Sequence, residues 1–146
     1  MSDTVHASVA LLGERGVLIR GASGSGKSSL LLALISSANA VLVADDQAHL
    51  RAEHGRVIAH VPDAIAGLME IRGVGIVRRP HVASAPIDLV VDLLPLAECP
   101  RLPDADQAHA MLAGIAVPRI FIAVGAHDGV ARVMAALDRA DAGIPA

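Results

Sequence analysis

Two short apolar runs separated by a glycine-bounded turn open the chain. Residues 5–12 and 17–20 are strand-like, and the turn between them has Gly13 at one end and Gly16 at the other. Short apolar segments bounded by turn residues are typical of β-strands. The pattern therefore predicts a β-hairpin at the start of the chain.

A segment that is apolar on every side follows at residues 27–37, with Leu30, Leu31, Leu32, Leu34 and Ile35. A helix of this kind packs between other elements instead of lying on the surface. Asn39 marks its predicted end, because asparagine tolerates the backbone conformation that commonly closes a helix. A buried strand at residues 41–44 then leads into the acidic pair Asp45 and Asp46.

The remaining pattern predicts further strands and a closing helix. Residues 47–61 form a predicted hairpin that turns at His54 and Gly55. Residues 128–140 form an amphipathic helix, since Val130, Val133, Met134 and Leu137 share one face. The other predicted elements are a short helix from Pro62 to Gly67, a loop entering a strand at residues 68–77, and strands at residues 87–94 and 115–124. Together they predict a single-domain α/β fold over residues 1–146, with a mixed sheet and flanking helices.

Composition narrows the classes of function. The 146 residues are 53% hydrophobic, enough for one core, yet Phe121 is the only aromatic residue and the net charge is −3. These features argue against nucleic-acid binding, which uses aromatic stacking and a basic surface. The uncharged residues 28–44 are interrupted by serine and asparagine, so we predict no membrane insertion. A single cysteine, Cys99, and a start unlike a secretory signal predict a cytoplasmic protein.

Residues 21–28 read Gly-Ala-Ser-Gly-Ser-Gly-Lys-Ser, the pattern of a phosphate-binding P-loop. They lie between a predicted strand and a predicted helix, which is the context that this motif requires. Backbone N–H groups and the positive end of the helix would surround the phosphates of ATP. Lys27 would neutralise the β- and γ-phosphates, and the Ser28 hydroxyl would bind Mg²⁺. The predicted nucleotide-binding residues are Gly21, Ala22, Ser23, Gly24, Ser25, Gly26, Lys27 and Ser28.

Phosphoryl transfer also needs a carboxylate at the end of a neighbouring strand, where Asp45 and Asp46 stand. Adjacent strand residues point in opposite directions, so one aspartate would face the nucleotide and the other would be structural or solvent-facing. The alternative is a solvated acidic turn. Glu70 and Arg72, beside two glycines, are by themselves equally well explained as a surface ion pair.

Four motifs in this order resemble the catalytic domain of HPr kinase/phosphorylase, the bifunctional serine kinase that regulates the sugar phosphotransferase system. They are His6-Ala-Ser, the P-loop at residues 21–28, Leu-Val-Ala-Asp-Asp at residues 42–46 and Met-Glu-Ile-Arg-Gly-Val-Gly-Ile at residues 69–76. The last is the most specific, because few other P-loop proteins carry it. The fold of the family is similar to that of the nucleotide domain of phosphoenolpyruvate carboxykinase.

This resemblance implies a role for each matching residue. Asp45 would be the catalytic base that takes the proton from a serine of HPr or of an HPr-like phosphocarrier. Ser28 and Glu70 would bind Mg²⁺. The remaining active-site residues implied by the resemblance are His6, Lys27, Arg72 and Arg101.

Two departures from the family bear on activity and assembly. Full-length members carry an additional N-terminal domain, whereas the motifs here begin at His6, so we expect the short form found in some proteobacteria. Residues 120–128 stand where the family has a Pro-Val-Arg-Pro-Gly-Arg loop associated with dephosphorylation, and they contain neither arginine. This departure argues against the phosphorylase reaction and against the hexamer of the long forms, although a homo-oligomer remains an expectation.

Two other functions stay open at the level of sequence. One is a regulatory module that binds ATP and a phosphotransferase component or sensor kinase without catalysis. The other is an unrelated P-loop ATPase or transporter subunit, which is disfavoured because the chain has no Leu-Ser-Gly-Gly-Gln signature.

Overall fold

A nine-stranded mixed sheet is the main feature of the computed structural model, which describes residues 3–141. Two helices accompany it, α1 at Lys27–Ala38 and α2 at Gly129–Asp141. The strands of the large sheet are β1 Asp3–Val5, β2 Ala7–Leu12, β3 Arg15–Gly21, β4 Val41–Ala44, β5 Ala48–Glu53, β6 Arg56–His60, β9 Ser84–Leu94, β10 His109–Leu112 and β11 Ile115–Ala123. A separate two-stranded hairpin consists of β7 Leu68–Ile71 and β8 Gly75–Arg78.

The strand order in the large sheet is β1-β5-β6-β9-β3-β2-β4, with β11 also paired to β9 and β10 paired to β11. Strand β9 runs parallel to β3 and to β11, and the other pairs are antiparallel. The first residues of β9 pair with β6 and its last residues with β11. The mixed sheet predicted from the flanking hairpins is thus confirmed.

Each face of the sheet has its own apolar core. On one face Ala10 and Leu12 of β2 pack with the leucines of α1 and with Val133 and Leu137 of α2. On the other face Ala7 and Val9 pack with residues of β5, β6 and the β10–β11 hairpin. The sheet therefore curls over one of its own faces, while the two helices cover the other.

A β-bulge at Asp88 allows β9 to contribute apolar side chains to both cores. The register with β3 passes from Gly16 opposite Ile87 to Val17 opposite Leu89, so Asp88 is an extra residue. Ile87 belongs to the core of the curled face, whereas Leu89 belongs to the helix-covered core. Gly16 is required here, because a Cβ atom at this position would lie 1.9 Å from the carbonyl oxygen of Pro86.

Several sequence predictions are confirmed by these elements. Helix α1 ends at Asn39, whose φ of 58° is the left-handed conformation expected there. The predicted hairpin turn falls at His54 and Gly55, between β5 and β6. The predicted short helix is a single 3-10 turn at Asp63–Ile65. The likeness to phosphoenolpyruvate carboxykinase stays a prediction.

Two sequence predictions were wrong in detail, and one strand was not predicted. Residues 5–12 are two strands instead of one, because the chain breaks at His6 and β1 pairs with β5 while β2 pairs with β3. Residues 68–77 lie in the β7–β8 hairpin instead of a loop entering a strand, with Gly73 in the turn and Gly75 at the start of β8. Strand β10 was not predicted, since its four residues present an apolar pattern too short to be recognised before the turn at Ala113 and Gly114.

An ion-pair network joins the three parallel strands near their carboxyl ends. Arg20 of β3 donates to both carboxylate oxygens of Asp92 on β9, over 2.8 and 2.9 Å. Arg119 of β11 donates to the same carboxylate over 3.3 Å and lies 4.7 Å from the centre of the Phe121 ring. The hydrogen bond to Asp92 raises the pKa of Arg20 even though burial opposes this shift, so the guanidinium stays charged.

We expect Asp92→Asn to lower the free energy of unfolding by about 1–3 kcal/mol, because two arginines would lose a charged acceptor that is only 14% exposed. Asp128→Asn is the matched control. Its 54% exposed carboxylate pairs with Arg132 across one helical turn, and its loss should cost less than about 0.5 kcal/mol. Urea unfolding of both variants measures the difference, and equal costs would contradict a structural role for the network.

Candidate active site

The glycine-rich loop joins the end of β3 to the start of α1. Gly24 and Gly26 have φ angles of 78° and 100°, which other residues adopt only with strain. The Ser25 N–H donates to the Ala22 carbonyl over 3.0 Å, which tightens the turn. A Cβ atom on Gly21 would lie 2.3 Å from the Ser25 hydroxyl. The observed path of the loop therefore depends on glycine at the three places where the sequence has it.

The side chain of Lys27 is turned back against this loop. Its Nζ atom donates to the carbonyl oxygens of Gly21 and Ala22 over 3.0 and 3.2 Å, and the residue is only 6% exposed. A buried ammonium group thus lies where a helix begins. A cation and a helix N-terminus at one loop are favourable for binding an anion.

Asp45 receives hydrogen bonds from three different elements. Its Oδ1 atom accepts from the Ser28 hydroxyl of α1 over 2.6 Å and from the Ser8 hydroxyl of β2 over 3.2 Å. Its Oδ2 atom accepts from the backbone N–H of Glu70 on β7 over 3.0 Å. The structure therefore brings Ser28, Asp45 and the backbone of Glu70 together, as the sequence motifs had suggested.

Asp46 points away from this group. Its φ of 71° reverses the direction of the chain, and its carboxylate lies 2.7 Å from the His6 Nε2 atom. The side chains of His6 and Asp46 are 62% and 58% exposed. The two carboxylates thus have different partners, Ser28 for Asp45 and His6 for Asp46. That only one of them faces a nucleotide stays a prediction.

Ser8 is a site residue that the sequence analysis did not identify. It is fully buried, donates to Asp45 and accepts the backbone N–H of Asp46 over 3.0 Å. One hydroxyl thus orients both aspartates, because a serine oxygen can donate and accept at once. The available signal was a polar residue within the otherwise apolar strand β2.

A cleft of about 680 Å³ lies between the loop and the β7–β8 hairpin. We call it the acidic cleft, and the charged side chains that line it are Lys27, Asp45, Asp46, Glu70 and Arg72. Arg101 is not among its lining residues and lies in the exposed segment before β10. His6 reaches this cleft only through Asp46.

Residues 3–141 contain neither a cluster of metal-ligating side chains nor a membrane-spanning helix. No group of three or more histidine, cysteine, aspartate or glutamate side chains is arranged to hold a metal ion in this part of the chain. Within the same residues, neither helix has the length and apolar character that crossing a membrane requires.

Comparison with known proteins identifies the family of this chain. Residues 1–140 match the HPr Serine kinase C-terminal domain. The chain belongs to this family. The curated relatives include the HPr kinase/phosphorylase of Lactobacillus acidophilus, 30% identical over an alignment of 133 residues that covers 84% of this chain and 41% of the relative. The HPr kinase/phosphorylase of Bordetella pertussis is 43% identical over an alignment of 76 residues that covers 51% of this chain and 24% of the relative.

The fold has a counterpart among solved structures. The HPr(Ser) kinase/phosphatase from Coxiella burnetii superimposes with a TM-score of 0.82 at 26% sequence identity, covering 97% of this chain and 98% of that chain. The chain spans less than half the length of the curated relatives named above, at 41% and 24%. The recognised family is thus supported by sequence and by fold.

We expect Ser8→Ala to lower the free energy of unfolding by about 1–3 kcal/mol, because the Asp46 N–H would lose its acceptor and Asp45 would lose a donor in a buried setting. Ser36→Ala, on the exposed side of α1, is the matched control and should change stability by less than about 0.5 kcal/mol. Thermal or urea unfolding compares the two. A Ser8→Ala protein as stable as the control would show that this hydroxyl does not hold the aspartates.

Proposed function

We propose that this chain is an ATP-dependent protein-serine kinase domain that phosphorylates HPr or an HPr-like phosphocarrier. The observation that carries the proposal is the Asp45 carboxylate, which is hydrogen-bonded beside the glycine-rich loop within a chain of the HPr serine kinase family. A base, a phosphate loop and a cation are the parts that phosphoryl transfer needs.

The loop geometry supports binding of a nucleoside triphosphate. Gly24 and Gly26 keep the backbone open for close approach, and α1 begins at Lys27, so its free N–H groups can bind phosphate oxygens. The Lys27 ammonium, now on the Gly21 and Ala22 carbonyls, would turn to the β- and γ-phosphates. These are the residues of the predicted P-loop.

Ser28 and Glu70 would hold Mg²⁺ in the acidic cleft. Magnesium in phosphoryl-transfer sites takes few protein ligands and completes its shell with phosphate oxygens and water. The Ser28 hydroxyl donates a hydrogen bond to Asp45, so the lone pairs of its oxygen remain available for a cation. Bound Mg²⁺ would neutralise charge on the transferred phosphoryl group.

Asp45 would act on the acceptor serine. As the serine oxygen forms a bond to the γ-phosphorus, the bond from that phosphorus to the bridging oxygen breaks, ADP leaves, and the serine proton passes to Asp45. The hydrogen bonds from Ser8 and Glu70 would keep the carboxylate in place during this step. Arg72, in the same cleft, would help to neutralise the phosphate charge.

The proposal covers the kinase direction. His6, positioned by Asp46, and Arg101 remain residues implied by the resemblance to the family. Residues 120–128 lack the arginines associated with the reverse reaction, which is why phosphorylase activity is not included. HPr-like partners and a homo-oligomeric state are proposed on the same resemblance.

Replacement of Asp45 tests the catalytic role. With γ-labelled ATP, Mg²⁺ and candidate carriers, we expect Asp45→Asn to reduce transfer by roughly 100-fold or more, because the base is lost. ATP binding, measured by calorimetry, should persist. Asp63→Asn, at an exposed position outside the acidic cleft, is the matched control and should retain wild-type transfer.

One result would contradict the kinase activity, and another would contradict the role of Asp45. Wild-type protein that binds ATP but labels no carrier would instead favour the non-catalytic regulatory module. Asp45→Asn protein with wild-type transfer would exclude Asp45 as the base.

Replacement of Glu70 tests the Mg²⁺ site. We expect Glu70→Gln to raise the Mg²⁺ concentration needed for half-maximal transfer by roughly tenfold, because a neutral amide binds a divalent cation more weakly than a carboxylate does. Glu14→Gln, in the exposed turn between β2 and β3, is the matched control. Equal Mg²⁺ requirements for the two variants would exclude Glu70 as a ligand.

A further inference from the structure

A second cleft lies on the other side of the glycine-rich loop. Its volume is about 310 Å³, near the lower end of the range for small-molecule sites. We call it the apolar cleft. Its walls are the first turns of α1 with Ser29, Leu30 and Ala33, the ends of β9 and β11, residues 124–127 and Val130 of α2.

The two clefts differ sharply in charge. The acidic cleft contains Lys27, Asp45 and Glu70. Among the residues that line the apolar cleft, all within the described part of the chain, none is aspartate, glutamate, lysine or arginine, and His127 is the only titratable side chain. The clefts meet at the loop, because Gly24, Gly26 and Ser29 line both.

The glycine-rich loop determines the orientation of a bound triphosphate. Lys27 and Ser28 act on the β- and γ-phosphates of a nucleotide, and both line the acidic cleft together with Asp45. In-line transfer places the attacking serine and the leaving oxygen on opposite sides of the γ-phosphorus. With the acceptor beside Asp45, the rest of the nucleotide must leave the loop on the side away from Asp45.

The strand topology points to the same side. Strands β3, β9 and β11 are parallel, and ligands of α/β proteins bind outside the carboxyl ends of such strands. Leu93 and Ala123, near the ends of β9 and β11, line the apolar cleft. The cleft is therefore continuous with the loop and lies at the edge where a ligand is expected.

We propose that the apolar cleft holds the nucleoside of the triphosphate, with the ribose near Ser29 and the base between Ala33 of α1 and residues 124–127. The proposal rests on the proposed function, since it assigns the part of ATP that the loop does not hold. It also places residues 122–127, part of the segment that departs from the arginine-containing family loop, in the wall of the nucleoside site.

Leucine substitutions that fill the cleft test this assignment. Ala33 is half-buried on α1, and Ala126 is an exposed loop residue whose replacement should leave folding intact. The probes are Mg²⁺-ATP and Mg²⁺-tripolyphosphate, which carry the same phosphate chain with and without a nucleoside. Ala131→Leu, at an exposed position of α2 outside the cleft, is the matched control.

We expect Ala33→Leu and Ala126→Leu each to raise the Kd for ATP by roughly tenfold, because the added side chain overlaps the nucleoside. The Kd for tripolyphosphate should stay within twofold in every variant, and the Kd values of Ala131→Leu should match those of the wild type. Titration calorimetry measures all of these constants, and the tripolyphosphate values show whether each variant retains a folded loop.

The results separate this inference from the kinase proposal. Wild-type transfer and ATP binding that neither cleft variant alters would overturn the nucleoside assignment and leave the kinase proposal standing. Parallel losses of ATP and tripolyphosphate binding in Ala126→Leu would also overturn it, since the nucleoside would then not be what the variant displaces. A wild-type protein that binds neither compound would contradict both.

Discussion

Three hydrogen-bond donors from three separate elements converge on the carboxylate of Asp45. The hydroxyls of Ser8 and Ser28 come from β2 and α1, and the backbone N–H of Glu70 comes from β7. A partly buried carboxylate has lost part of its hydration, and hydrogen-bond donors from the protein replace the lost water. Because each donor belongs to a different element, the relative positions of sheet, helix and hairpin are set by the same contacts that build the site.

The parts of the fold that could be predicted are those whose pattern is local. Helix α1 was recognisable from an apolar run closed by Asn39, and the β5–β6 hairpin from the turn at His54 and Gly55. The break at His6 was not recognisable, because one polar residue also fits a continuous strand. Two strands are evident only from the pairing, since β1 pairs with β5 whereas β2 pairs with β3 and β4. Pairing between residues far apart in sequence leaves little trace in local periodicity.

The residues of the candidate site also divide into those that a local sequence pattern predicts and those that it does not. The glycine-rich loop was recognisable from its own sequence pattern. Different directions for Asp45 and Asp46 were predicted from strand geometry, but both residues lie just after β4 and Asp46 has a φ of 71°. The contributions of Glu70 and Arg72 depended on the resemblance to a family, since a charged pair beside glycines is otherwise ambiguous. Ser8 was missed because its role arises from burial and from two partners more than 35 residues away, as the separation of 37 from Asp45 shows. Arg101, by contrast, was implied by resemblance and lies in an exposed segment away from the acidic cleft.

The bulge at Asp88 also determines which residues of β9 face the helices. Residues after the bulge alternate with opposite parity to those before it, so Leu89, Val91 and Leu93 face the helices. If β9 kept all its residues but ran regularly through this point, the two faces of the strand's second half would be exchanged. The Asp92 carboxylate would then enter the aliphatic layer beneath α1, without the arginines that now neutralise it. An insertion or a deletion of one residue in the regular part of β9 after the bulge would have the same effect on the residues that follow it, whereas the exposed segment before β10 can absorb one.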